Sequence, residues 1–139
     1  MGYTNTRRPE AATLDTSKIQ FADPKPDLFS ETAEKVAQEI SSSKGNLNKP
    51  TQLRKFYEDV LKWQEKVGSS DEAFKKYLPM IRMTVAKVAY AKGRKHVDAN
   101  FEKLMRHCLS MEQLTNAKTL KHCKLFLEAF MGFMKLHKH

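Results

Sequence analysis

Cysteine, glycine and long apolar runs are scarce in this chain of 139 residues. Its two cysteines cannot build a disulfide scaffold, and with no Asn-x-Ser/Thr acceptor they favour a reducing compartment. Its apolar runs fall far short of the roughly 18 residues that cross a bilayer. The start of the chain also lacks the apolar core of a secretory signal. We therefore expect a soluble, cytoplasmic protein with no membrane partner.

Sequence motifs of enzymes are absent as well. The chain has no glycine-rich phosphate loop, no dinucleotide fingerprint, no His-Glu-x-x-His and no Gly-x-Ser-x-Gly. Its acidic residues are scattered singly and form no pair suited to acid-base chemistry. We predict that the protein is not an enzyme, needs no cofactor and has no small-molecule substrate.

One pattern resembles a metal site, because His107-Cys108 and His122-Cys123 are identical dipeptides. Adjacent helical residues diverge by about 100°, so all four side chains could reach one tetrahedral ion only if a loop redirected them. We therefore predict no metal, with buried cysteines and surface histidines instead.

The strict alternation of β-strands is also missing, and from Leu28 onward apolar residues recur at spacings of three and four. The sequence predicts an all-α protein, a single compact bundle of five to six helices over residues 28–139. The preceding residues 1–27 are rich in proline and polar side chains and have no usable period, so we predict a flexible segment there.

Turn and capping signals divide the bundle into helices. The first helix begins near Leu28, and Thr51 is the predicted N-cap of a second helix that Gly68 ends. Asp71 can cap a short helix. A further helix is predicted to begin at Pro79, since proline is accommodated in a first helical turn.

The later helices are separated by a change of phase. Beyond Gly93 the apolar residues fall nearly half a turn out of phase with Ile81 and Val85, which predicts a kink or break at 93–97. One long helix buried on two sides would give the same pattern. The final helix, 116–138, has an unusually broad apolar surface, which suits either a central bundle helix or a surface that docks on another protein.

Positive charge is what the chain has in excess, with a net charge of +9. Residues 75–106 contain nine Lys or Arg and two acids, and residues 75–97 contain no acid at all. Helix faces that serve only solubility mix both signs. The local excess therefore indicates a polyanionic partner.

Helical geometry gathers part of this charge on one face. At 100° per residue Met83, Lys87, Tyr90 and Arg94 cluster opposite the core stripe. Lys87 and Arg94 lie two turns, about 10 Å, apart and could contact phosphates while Tyr90 stacks on a base or sugar. Contacts of this kind are salt-sensitive and independent of nucleotide sequence.

Three motifs in order carry a family resemblance. They are Thr51-Gln-Leu-Arg54, Lys87-x-x-Tyr90-x-x-Gly93-Arg94 followed by Val97 and Phe101, and Phe126-Leu-Glu-Ala129-Phe-Met-Gly-Phe133. Over roughly residues 47–135 the chain resembles the small all-helical subunit of the Csm complex, the type III-A CRISPR effector. Some members have an acidic residue shortly before the Gly-Arg pair, where this chain has Lys92.

The resemblance implies a non-catalytic subunit of an antiviral ribonucleoprotein. Several copies would stack beside other Csm subunits and line the path of the guide RNA and target RNA. Arg54, Lys87 and Arg94 match the family's basic positions, and Tyr90 matches its aromatic position. The local basic stretch adds three further candidate RNA-binding residues, Arg82, Lys92 and Lys95.

A free-standing DNA-binding regulator of the helix-turn-helix type is the alternative, with Gly93 in the turn and a groove-reading helix from Val97. That helix would present Phe101, Leu104 and Met105, an apolar face. Helices that read a groove need Arg, Asn or Gln near their N-terminal end. The RNA-lining subunit is therefore favoured.

Overall fold

A computed structural model describes residues 11–138, and in that part of the chain all regular structure is helical. A π-type helical turn at Leu28–Thr32 runs directly into the first α-helix. The five α-helices are α1 (Ala33–Ser41), α2 (Pro50–Val67), α3 (Asp71–Gly93), α4 (Ala99–Cys108) and α5 (Ala117–His137). The prediction of an all-α bundle of five to six helices is confirmed.

Three of the five α-helices begin with a side-chain cap. The side chains of Ser70, Asp98 and Asn116 accept hydrogen bonds from the third residue of α3, α4 and α5, respectively. At α2 the prediction that Thr51 is the N-cap is wrong. Lys49 takes that position without a side-chain hydrogen bond, and Pro50, which needs no N–H partner, is the first helical residue.

Helix α3 is continuous from Asp71 to Gly93, so the prediction of a new helix at Pro79 is wrong. Proline removes one backbone hydrogen bond and costs about 3 kcal/mol in a helix interior. Here Pro79 is exposed, and Phe74, Ile81 and Val88 are buried on one side of the same helix. Packing on both sides of the proline therefore holds the helix together.

The predicted break after Gly93 is present, and the alternative of one long helix is wrong. The chain turns through residues 94–98 before α4 begins at Ala99. Lys95 has a left-handed backbone there, with φ of 62°. The turn lets the apolar residues of α4 face the core despite their different phase.

Helix α5 is the central helix of the bundle, which decides between the two interpretations of its broad apolar surface. It contacts α1, α2 and α3. Nine of its residues are buried within this one chain, among them Leu120, Phe126, Phe130 and Met134. Most of the broad apolar surface of α5 is therefore buried against other parts of the same chain.

Residues 13–21, which we call the strap, pack against α4 and α5. Leu14, Ile19 and Phe21 are at most 1% exposed, and the ring of Phe21 lies 6.0 Å from that of Phe126. In this respect the structure differs from the predicted flexible segment 1–27. Residues 1–10 lie outside the described residues, so the prediction is untested there.

Side chains of the bundle bind the main chain of the strap. Asn100 Oδ1 accepts hydrogen bonds from the N–H groups of Thr13 and Leu14, at 2.7 and 3.0 Å. His107 Nε2 donates to the Ile19 carbonyl at 2.6 Å, and His122 Nδ1 donates to the Phe21 carbonyl at 2.7 Å. The side chains that bind the strap lie 86 to 101 positions further along the chain. No local periodicity within the strap therefore predicts that it is buried.

Candidate nucleic-acid interface

The outward side of α3 carries Met83, Lys87, Tyr90 and Arg94, as the helical spacing predicts. We call these four residues the α3 face. Tyr90 is 67% exposed and Met83 is 55% exposed, large values for an aromatic and a methionine. Lys87 and Arg94 are also exposed. The α3 face therefore offers an aromatic ring between two cations.

Tyr90 and Arg94 form a pair at the C-terminal end of α3. The Arg94 Nη1 atom donates to the Tyr90 hydroxyl at 3.2 Å, and its guanidinium carbon lies 5.9 Å from the ring centre. Both side chains remain exposed. The contact orders the guanidinium while leaving its remaining N–H donors free for phosphate oxygens.

Lys87 is paired with a carboxylate of the neighbouring helix. Its Nζ atom lies 2.9 Å from Asp59 Oδ2 of α2, and the two side chains are 55% and 22% exposed. An exposed pair of this kind contributes about 0.2–1 kcal/mol, so a phosphate can compete for the lysine. Asp59 nevertheless reduces the positive potential at this end of the α3 face.

Arg82 and Lys92 lie on the side of α3 that faces α4. Arg82 Nε donates to the Leu109 carbonyl at 3.0 Å and so binds the C-terminal end of α4. Lys92 pairs with Glu102 at 3.2 Å, and Arg106 pairs with the same carboxylate at 3.1 Å. These cations stabilise the α3–α4 packing as well as carrying charge.

The shared carboxylate of Glu102 is held in its charged form. Partial burial raises its pKa, but the hydrogen bonds from Lys92 and Arg106 lower it more, so the net shift is downward. Glu102 therefore stays ionised at neutral pH and neutralises part of the local charge.

The remaining two candidates lie apart from each other. Lys95 is exposed in the α3–α4 turn, directly after Arg94. Arg54 is exposed on α2 but about 140° around that helix from Asp59, the residue that meets Lys87. On the Arg54 side of α2, Tyr57 interacts with Glu128 of α5. The pKa of Tyr57 is raised, first by its partial burial and then by the nearby Glu128 carboxylate. The structure therefore joins Lys95, but not Arg54, to the α3 face.

Two features of this surface escape sequence reasoning. Asp59 lies 28 positions from Lys87, and only the pairing of α2 with α3 brings them together. Met80, one turn before Met83, is 48% exposed, which the sequence analysis did not predict. The 100° rotation per residue was the one available signal for the exposure of Met83.

The histidine-cysteine dipeptides serve the core and the strap. Cys108 and Cys123 are both buried. Burial is the larger cause that raises the pKa of the Cys108 thiol well above its usual value, and a hydrogen bond between the two cysteine side chains is the second. The neighbouring histidines bind strap carbonyls. Within residues 11–138 no group of three or more His, Cys, Asp or Glu is arranged to hold a metal ion.

The helices of the described residues are also too short or too polar to pass through a lipid bilayer. They define a small all-α protein that exposes a tyrosine between two cations on the α3 face.

The family is shown by comparison with known proteins. The profile of the family described as Csm2 Type III-A matches residues 23–139, and the chain belongs to this family. It is a small subunit of the type III-A CRISPR Csm complex. The resemblance seen over residues 47–135 is thereby confirmed and extended, while the strap lies outside the matched region. Comparisons with curated proteins and with solved structures gave no match.

Proposed function

We propose that this Csm subunit lines the path of the guide RNA and target RNA and binds their backbone without reading sequence. The observation that carries the proposal is the α3 face, where Tyr90 stands exposed between Lys87 and Arg94. Cations bind phosphates and a ring stacks on any base, so such a face holds RNA without discriminating between sequences. Base pairing with the guide then supplies the specificity.

The same proposal includes the assembly and the division of labour. The subunit acts in the cytoplasm as a non-catalytic part of an antiviral ribonucleoprotein. It lies beside other Csm subunits and further copies of itself, so that successive α3 faces continue the RNA path. Its family membership supports this arrangement, since the Csm2 family consists of structural small subunits.

The DNA-binding alternative is not favoured. Val97, Phe101, Leu104 and Met105 are each at most 1% exposed, because α4 packs into the core. Side chains buried in this way cannot enter a major groove. The side chains that a helix-turn-helix protein would use to read DNA are therefore buried in the core of this protein.

Salt dependence tests the proposed function directly. With three phosphate contacts, from Lys87, Arg94 and Lys95, the slope of log affinity against log salt is about −2 for single-stranded RNA. We expect affinity to fall roughly 20-fold between 50 and 200 mM salt in filter binding. Two unrelated RNA sequences should bind about equally. Tight, salt-tolerant binding to one particular DNA duplex would reject the proposal.

Asp59 provides a second test, because it competes with RNA for Lys87. Replacing Asp59 with Asn releases the lysine, and we expect RNA affinity to rise about 1.5- to 5-fold, the equivalent of an exposed ion pair. The measurement is a filter-binding titration at low salt. Glu128→Gln is the matched control, since Glu128 pairs with Lys124 at 3.2 Å on α5, away from the α3 face. Equal gains in both variants would show that only net charge matters.

A further inference from the structure

A cleft of about 970 Å³ lies beside the C-terminal end of α3. One wall is the loop between α1 and α2, including Ser43, Lys44 and Leu47, and the other is the α3–α4 turn with Lys95 and Val97. Much of the lining is apolar. The volume falls within the range of small-ligand sites, about 300–1,000 Å³.

Both walls are held in place by buried polar contacts. Asn48 is fully buried, and its side chain donates to the Ile40 carbonyl at 3.2 Å and accepts from the Asp98 N–H at 3.0 Å. Its own N–H donates to the His96 carbonyl at 2.9 Å. Asn48 thus ties the end of α1 and the α3–α4 turn together, so the cleft is preformed.

Lys138 fixes the outer loop in the same way. Its Nζ atom donates to the carbonyls of Ser43 and Leu47, at 3.2 and 2.6 Å, and to the Ser43 hydroxyl at 2.7 Å. Partial burial lowers the pKa of this lysine. The ammonium group of Lys138 is therefore engaged with the loop, whereas the side chain of Lys44 is exposed beside the cleft.

Two residues with a left-handed backbone flank the cleft, and one of them, Lys95, is strained. Asn48 and Lys95 have φ of 59° and 62°, in the left-handed region that asparagine tolerates and lysine rarely adopts. Strain of this kind persists where the surrounding structure enforces it, and it concentrates at functional sites. The left-handed conformation of Lys95 turns the chain sharply, and the lysine side chain is exposed at the rim of the cleft.

The charged residues that line the cleft are three lysines, Lys44, Lys92 and Lys95, and two acids, so the lining carries one net positive charge. Of the acids, Glu102 is shared by Lys92 and Arg106, and Asp98 Oδ1 caps α4 by accepting from the N–H of Phe101. Within the described residues Lys44 and Lys95 make no ion pair. Apolar lining with two unpaired lysines suits a ligand that has a flat apolar part and an anionic part.

We infer that the cleft holds one nucleotide of the bound RNA, with the base against Leu47 and Ala89 and the phosphate beside Lys44 and Lys95. The inference deepens the proposed function and rests on it. The cleft continues the α3 face, because Gly93 and Lys95, the neighbours of Arg94, both line it. An RNA strand that lies along α3 is led into the cleft.

Filling the cleft tests the inference without altering charge. Ala89→Phe in the full chain places a ring against the apolar lining, and Ala73→Phe is the matched control. Both alanines are half-buried in α3, but they lie about 24 Å apart along its axis. Losing one stacked base is expected to weaken the binding of hexa-adenylate RNA roughly five- to a hundredfold in Ala89→Phe alone.

Lys95→Gly is a second variant that separates binding from folding. Glycine removes the charge and relieves the left-handed strain, so the melting temperature should rise while RNA affinity falls several-fold. A variant that is more stable but binds less well cannot be explained by damage to the fold. If Lys95→Gly binds hexa-adenylate as tightly as the wild type, Lys95 does not contact the phosphate.

NMR titration of the full chain locates the ligand. With hexa-adenylate RNA we expect shifts at the amides of Ser43, Leu47, Lys95 and Val97. The same shifts with AMP alone would show that the cleft recognises a nucleotide directly. Shifts with RNA alone would show that the α3 face delivers it. Both outcomes support the inference, whereas shifts confined to α3 overturn it.

The two proposals fail separately. If Ala89→Phe binds RNA like the wild type while charge reversal on the α3 face abolishes binding, no nucleotide enters the cleft and the proposed function stands. If neither change affects RNA binding, both proposals fall.

Discussion

Reversing the charges of Lys87 and Arg94 together, as Lys87→Glu with Arg94→Glu, should weaken RNA binding roughly 30- to 150-fold. Each substitution removes an attraction to phosphate of about 1 kcal/mol and adds a smaller repulsion, which gives about 2–3 kcal/mol in all. The salt slope should also become shallower by about 1.4, since two contacts with single-stranded RNA are lost. Filter binding at several salt concentrations measures both quantities.

A control with the same change in net charge decides whether position matters. Lys118→Glu with Lys121→Glu places two equally exposed reversals on α5. We expect at most a few-fold loss of affinity there. The fold should survive at the α3 face, because the contacts of Lys87 and Arg94 are exposed and contribute about 0.2–1 kcal/mol each. Equal losses in both double variants would contradict a defined RNA face.

Replacing Phe21 with alanine should lower the free energy of unfolding by about 3–5 kcal/mol, the usual cost of removing a buried phenyl ring. The side chain is fully buried, and its ring lies 6.0 Å from that of Phe126 in the central helix. Surrounding side chains cannot close the cavity easily, because Gln113 and His122 hold the backbone of Phe21 in place. The melting temperature should fall by roughly 10 °C or more.

Lys25→Ala is the control for this prediction, since Lys25 is exposed in the same N-terminal region and contributes only its backbone carbonyl to the turn before Leu28. It should unfold like the wild type. Urea denaturation followed by circular dichroism distinguishes the two variants. If Phe21→Ala has wild-type stability, residues 13–21 are not part of the cooperative core and the prediction of a flexible segment applies to them.

The helices were largely predictable from the sequence, because their signals are local. The change of apolar phase after Gly93 marked the break, and Asn116 at the start of α5 is a strong capping residue. The same local reasoning gave the wrong prediction of a new helix at Pro79, because proline usually ends a helix. It is tolerated because buried residues on both sides anchor α3 to the core, which is a tertiary effect.

The candidate site was predictable in part for the same reason. Residues on one helix face follow from the rotation per residue, so Lys87, Tyr90 and Arg94 could be grouped before the fold was known. Their partners could not, because a charge pattern along the chain does not reveal which acid of another helix lies opposite. The pairing of Asp59 with Lys87, and that of Glu102 with the neighbouring Lys92, was therefore revealed only by the packing of α2 and α4 against α3.

By itself the sequence determined the helical class, the excess of positive charge in residues 75–106 and the shared face of Lys87, Tyr90 and Arg94, since each depends on residues close together in the chain. Only the tertiary structure decided that the strap fills part of the core, that Asp59 pairs with Lys87 and that a cleft opens beside Lys95. These features join residues from 28 to about 100 positions apart. Contacts at such separations are selected by the packing of whole helices, which no local period encodes.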